Sequence, residues 1–138
     1  MTTLEEVRKS LIKDQESFEE KDLISLGQKI SAICSLDKNG EAHFHRQLKD
    51  MEKIKFALAA RFIARKIEDF FADKSENERI SASVRNEELE KMLKISKPQV
   101  RARLSDLRKE SLIEDLDRDS HQIKSLALHK ILENAEDK

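Results

Sequence analysis

Between Lys91 and Lys109 the chain carries seven basic residues, Lys91, Lys94, Lys97, Arg101, Arg103, Arg108 and Lys109, against one acidic residue, Asp106. Among them stand the hydrogen-bonding side chains Ser96, Gln99 and Ser105. Cations at this density attract a polyanion. The contacts they suit are to phosphate oxygens and base edges, because a guanidinium matches the two acceptors of guanine and a carboxamide matches adenine. The whole chain has a formal net charge of −1, so any such attraction is local. Carboxylates are plentiful elsewhere, but none comes with a nucleophile, a glycine phosphate loop or a catalytic spacing, and no enzyme activity is expected. His43 and His45 with Cys34 come nearest to a metal set. On a helix, residues two apart point in different directions, so the histidines are expected on a polar face and Cys34 in the core, with neither metal nor cofactor.

The basic residues fall on two short helical patterns. In the first, Leu89, Met92 and Leu93 recur at offsets of three and four, Asn86 stands as the N-cap, and Glu87 and Glu88 occupy the first turn. In the second, Val100, Leu104 and Leu107 form one apolar stripe, Ser96 and Gln99 make a capping box, and Pro98 lies within the first turn. With that stripe inward, Gln99, Arg101, Ala102, Ser105, Asp106 and Lys109 take the opposite face, and Lys97, Arg103 and Arg108 its edges. Only Lys94 and Ile95 separate the two patterns, which predicts helix-turn-helix geometry. Ile80, Ala82 and Val84 alternate with serines and predict a short strand before the pair. Leu112 to Asp117 and Gln122 to Ser125 predict two strands after it, with a tip at 118–121. Ala127, Leu128, Ile131 and Leu132 predict a closing helix.

The run Leu93-Lys94-Ile95-Ser96-Lys97-Pro98-Gln99-Val100, followed by Leu104, Leu107 and Ser111-Leu112-Ile113-Glu114, resembles the winged helix-turn-helix superfamily. There, a pattern like L-G-I-S-x-P-T-V precedes the recognition helix and G-L-I/V-E leads into the wing. Lys94 and Ser111 replace two glycines of that pattern, at positions that often take left-handed backbone. The resemblance implies double-stranded DNA as partner, a role in transcription regulation and a recognition helix at about 97–110. The DNA-binding set would be Ser96, Lys97, Gln99, Arg101, Arg103, Ser105, Arg108 and Lys109, with Gln99 and Arg101 on base edges. Winged helices also dock proteins. From Glu110 to Asp119 the wing has five acidic residues (Glu110, Glu114, Asp115, Asp117, Asp119) and one basic, Arg118, a sign that phosphate repels. The alternative is therefore a protein-interaction module acting as a subunit or adaptor of a larger assembly.

The remainder reads as support. Charged residues are 40% of the 138, aromatics 4%, with two Gly and one Pro, which favours helices over a sandwich or barrel. The expected fold is mainly α: an N-terminal helical region over 1–75, then a winged helix-turn-helix module with a small β-wing over 79–138. Thr3 and Glu6 box a first helix carrying Leu4, Val7, Leu11, Ile12 and Phe18 to about residue 19. A second begins near Asp22 with Leu23, Leu26, Ile30 and Ile33, making a helical hairpin that ends in a turn at Asp37-Lys38-Asn39-Gly40. Glu41 to about Asp73 predicts one long helix, with a break near 51–55 as a variant. Its apolar arc, with Phe56, Leu58, Ala59, Phe62 and Ile63, is too wide for one neighbour, which predicts packing against the N-terminal hairpin and against the winged module or a second subunit; plain core is the commonest role for such residues, and a homodimer seam would run from Phe44 to Phe71. The longest apolar run is the five residues Phe56 to Ala60 and no signal peptide opens the chain, so a cytoplasmic protein without membrane contact is expected. The lone Cys34 excludes an internal disulfide.

Overall fold

A computed structural model describes residues 3–4, 20–124, 127–128 and 130–132. In chain order the elements are α1 (Glu20–Ser31), β1 (Cys34–Leu36), β2 (Ala42–Phe44), α2 (Asp50–Phe71), β3 (Val84–Arg85), α3 (Asn86–Leu93), α4 (Lys97–Lys109), β4 (Ile113–Asp115) and β5 (Ser120–Ile123). The protein is mainly α with two small antiparallel sheets, β1-β2 and β3-β5-β4. Apart from Thr3 and Leu4, the helix expected over about 3–19 lies outside the described residues.

α1 opens with Glu20 and Asp22 in its first turn, which favours the helix dipole, and buries Leu23, Leu26 and Ile30. The chain then departs from the helix expected to begin at Glu41. Cys34, Ser35 and Leu36 pair with Phe44, His43 and Ala42 in a β-hairpin. Its turn is the one the sequence marks: Asp37 Oδ1 accepts the N–H groups of Asn39 (2.8 Å) and Glu41 (3.1 Å), and Gly40 has φ +83°. A turn closed this tightly pairs the flanking residues, so 41–49 are not helical and α2 starts at Asp50. The histidines are thus not on a helix face: His43 points outward from β2 to Asp37 Oδ2, at 3.0 Å. No group of three or more His, Cys, Asp or Glu able to hold a metal ion occurs among the described residues. Cys34 is buried, as expected, and burial pushes its thiol pKa up to about 11.

α2 is the spine. Asp50 and Glu52 favour its start, and Ala72 closes it in the left-handed region at φ 53°, donating to the Glu68 carbonyl. Ile54 and all of 56–63 are buried, because α2 meets α1 and the β1-β2 hairpin as well as α3 and β5. One apolar cluster runs from Leu26 through Leu58, Phe62 and Ile63 to Leu89, Leu104, Ile123 and Leu132. The wide arc therefore serves this chain's own core, and the central part of the expected dimer seam is not free. Toward the end of α2 only Phe70 and Phe71 are exposed, near Ile24 of α1.

Residues 72–83 contain only a short 3₁₀ turn, Glu76–Glu78, and the strand expected over 80–84 is reduced to β3. The physical reason is that side chains of α2 occupy the backbone groups a strand would pair. Glu68 accepts the Ile80 N–H (2.7 Å), and Arg61 donates to the carbonyls of Ser81 (3.1 Å) and Ser83 (3.3 Å). After β5, residues 127–128 and 130–132 are helical, and Ala127, Leu128, Ile131 and Leu132 are buried, in keeping with a closing helix.

Candidate nucleic-acid interface

Two buried polar residues set the stage for α3 and α4, and sequence reasoning missed both roles. Arg61 is 3% exposed in the middle of the apolar α2. Its Nε donates to the Gly40 carbonyl (2.6 Å), Nη1 to Ser81 and Ser83, and Nη2 is ion-paired with Glu88 of α3. One guanidinium thus joins the β1-β2 turn, the 81–83 segment and α3. The available signal was a lone cation inside the run Phe56 to Ile63, whose flanking positions are all apolar.

His121 is the second. It is 2% exposed, with Nδ1 2.6 Å from Asp115 Oδ1 and Nε2 2.6 Å from Asn86 Oδ1. Asn86 is consequently not the N-cap of α3. It is the first helical residue, turned inward, while Arg85 occupies the cap position and its N–H donates to Glu88 Oε1 at 3.4 Å. The signal for His121 was its place two residues before Ile123 on a strand, where both face inward.

Lys94 ends α3 at φ 56° and Ser111 follows α4 at φ 60°. Both non-glycine residues adopt the left-handed backbone expected at these places, at about 1 kcal/mol each. α4 starts at the capping box: the Gln99 N–H donates to Ser96 Oγ (3.4 Å), and Gln99 Oε1 accepts from the Ser96 N–H (3.0 Å) and hydroxyl (3.1 Å). Val100, Leu104 and Leu107 are buried, as the stripe predicts.

The eight expected contact residues then separate. Ser96, Lys97, Gln99, Arg101, Arg103, Arg108 and Lys109 are exposed, and Ser105 is half-buried. Lys97, Arg101, Arg103 and Lys109, with Lys91 and Lys94 beside them, make no ion pair among the described residues. Gln99 differs from expectation. Its carbonyl oxygen is committed to the cap, so a two-bond contact with adenine requires the cap to break. Arg108 differs too: its Nε lies 2.8 Å from Asp115 Oδ2 and its Nη2 donates to Oδ1 at 3.3 Å, so its charge is already neutralised.

The strands beyond α4 are shorter than expected and shifted. Asp115 pairs with His121 and Ile113 with Ile123, while Leu116 donates to the Ser120 carbonyl (2.9 Å) and Asp117 Oδ1 accepts the Asp119 N–H (2.8 Å). The turn therefore falls at 116–119, and His121 lies within β5 rather than at the tip. That same hydrogen bond from Asp119 is the main reason the Asp117 carboxyl is held below its ordinary range. For Asp115, burial pushes the pKa up, but hydrogen bonds from His121 and Arg108 more than offset this and leave it lowered. Asp115 in this way ties α4 to β5 and, through His121 and Asn86, to α3. Between α4 and the 116–119 turn lies a cleft of about 380 Å³, lined by Asn86, Arg101, Leu104, Arg108, Arg118, Asp119 and His121.

No family model, curated protein or solved structure matches this chain.

Proposed function

We propose that residues 84–123 form a winged helix-turn-helix module, with β4 and β5 as its wing, and that the protein binds double-stranded DNA through α4 as a transcriptional regulator. One observation carries the reading: six cations cluster on the end of α3, the turn and α4, where they are exposed and make no ion pair among the described residues. A cation without an internal partner is available to a polyanion. Lys97, Arg101, Arg103 and Lys109 turn their unpaired charges to the duplex, and small Ala102 lets the backbone approach the groove. Gln99 and Arg108 leave the contact set and hold α4 in place, while Ser96 joins Gln99 in the cap. A pair of such modules would meet through the exposed Ile24, Phe70 and Phe71. The chemistry proposed is binding, with no catalytic step.

The test is fluorescence anisotropy of a labelled random duplex at low and moderate salt. Affinity should fall steeply with salt, and Lys97→Ala should reduce the magnitude of the log-log slope by about one. Absence of binding at low salt would refute the reading. A second reading, docking of a basic protein partner, is favoured by Glu114 and Asp117, which are exposed on the wing. Its signature is a partner that co-purifies after nuclease treatment and is lost when Asp117 is reversed to Lys.

A further inference from the structure

The cleft between α4 and the 116–119 turn carries a guanidinium on each wall. Arg101 and Leu104 come from α4, Arg118 and Asp119 from the turn, and the buried Asn86 and His121 lie beneath. Arg101 and Arg118 make no ion pair among the described residues and stand on different elements, yet they line one concave space of about 380 Å³. Arg108 lies beside them, balanced by Asp115. The wing is acidic overall, but within this cleft the one unbalanced carboxylate is Asp119, whose N–H and carbonyl are already used by Asp117 and Asn86. A guanidinium fork fits a phosphate through paired N–H donors. Two unpaired forks facing one cleft leave an excess of positive charge that a phosphate would balance.

We propose that this cleft is a phosphate-binding subsite, in which Arg101 and Arg118 share the oxygens of one phosphate group from the two walls. The phosphate comes either from the backbone of a bound duplex or from a free phosphate or phosphomonoester. The first source rests on the DNA-binding reading and the second does not. Asp119 opposes the anion and weakens its binding.

The full chain would be titrated with inorganic phosphate at constant ionic strength by calorimetry, and with a labelled duplex by anisotropy, alongside Arg118→Ala and Asp119→Asn. The two substitutions should act in opposite directions, with Arg118→Ala weakening binding and Asp119→Asn strengthening it, each by about threefold to tenfold. A gain of affinity in Asp119→Asn is not something a misfolded variant would show. Saturable one-to-one phosphate binding that obeys this pattern assigns the free anion as the ligand, even if no duplex binds. The pattern in the duplex titration alone, with a salt slope lower by about one in Arg118→Ala, assigns the backbone phosphate. If neither titration responds with opposite signs, or neither shows binding, the subsite is refuted. Duplex binding that ignores both substitutions would refute the subsite while leaving the DNA-binding reading standing.

Discussion

Replacing Arg61 with Ala removes the tie that sets α3 on α2, and the effect follows from what each partner then faces. Gly40 is buried, so its carbonyl loses a 2.6 Å hydrogen bond with no water to replace it, at about 1–3 kcal/mol. Ser81 is exposed and Ser83 half-buried, so their carbonyls rehydrate and add little. Glu88 has 36% of its side chain exposed, so it loses its partner at about 1 kcal/mol rather than the larger cost of a fully buried pair. Lost packing of the aliphatic stem adds about 1 kcal/mol. The expected destabilisation is about 3–5 kcal/mol, read in urea as a midpoint lowered by about 1.5–2.5 M if m is about 2 kcal/mol/M. Arg61→Lys keeps the charge near Glu88 but has no planar fork to span the turn and the 81–83 segment, so it should lose about half as much. Arg61→Met preserves volume and should remain destabilised through the Gly40 carbonyl. A loss below about 1 kcal/mol in Arg61→Ala, or a Met variant as stable as wild type, would refute this account.

Gly40→Ala should be destabilised by more than about 1 kcal/mol in the same urea assay, because φ is +83° and the new Cβ would lie 2.7 Å from Arg61 Cζ; in an Arg61→Ala background the steric part should vanish. Gln99→Ala should lower thermal stability by an amount on the scale of a cap, about 1 kcal/mol, without changing the preference between A-rich and G-rich duplexes in competition anisotropy; a selective loss on A-rich duplex would restore Gln99 to the base-reading set. Cys34, with its pKa near 11, should react with a thiol reagent at pH 8 far more slowly in the folded chain than in urea, and equal rates would contradict its burial. Asp115 has a folded pKa below its ordinary 3.8, so its contribution is complete above that value and is lost as pH falls through the lower folded pKa. Asp115→Asn should therefore flatten the acid limb of a stability-against-pH curve, by no more than about 1 kcal/mol given the exposure of the pair.

What could be read in advance was whatever a short stretch decides for itself. The capping box at Ser96, the stripe of Val100, Leu104 and Leu107, the Asp37–Gly40 turn and the double burial of α2 all follow from local spacing, and the structure has each of them. The misses are long-range. Residues 41–49 carry apolar spacing compatible with a helix, and only pairing with Cys34–Leu36 makes Ala42–Phe44 strand and leaves the rest non-helical. Asn86 satisfies every local rule for an N-cap, yet His121, thirty-five positions away, turns it inward. The strand expected at Ile80 to Val84 fails because Arg61 and Glu68 take its backbone partners first. For the candidate site, exposure of the basic face was legible in the heptad-like spacing. The withdrawal of Gln99 and Arg108 was not, since it depends on which oxygen each side chain meets.

Those same contacts change the weight of the acidity in the proposed wing. Read as five negative charges beside a basic helix, the segment from Glu110 to Asp119 argues against a phosphate partner. In the fold, Asp115 is matched by Arg108, Asp117 closes its own turn, and Glu114 accepts from Gln122 (3.2 Å). Three of the five acids thus have structural duties that account for their presence without reference to any partner. Pairing Asp115 with Arg108 also removes one charge of each sign, leaving six unpaired cations between Lys91 and Lys109, with Asp106 the one acid in that span. Because hydrogen bonds from the Asp119 N–H and from Gln122 cancel no charge, Glu114 and Asp117 still leave this segment acidic, and attraction of a polyanion rests on the cluster of Lys97, Arg101, Arg103 and Lys109 on α4.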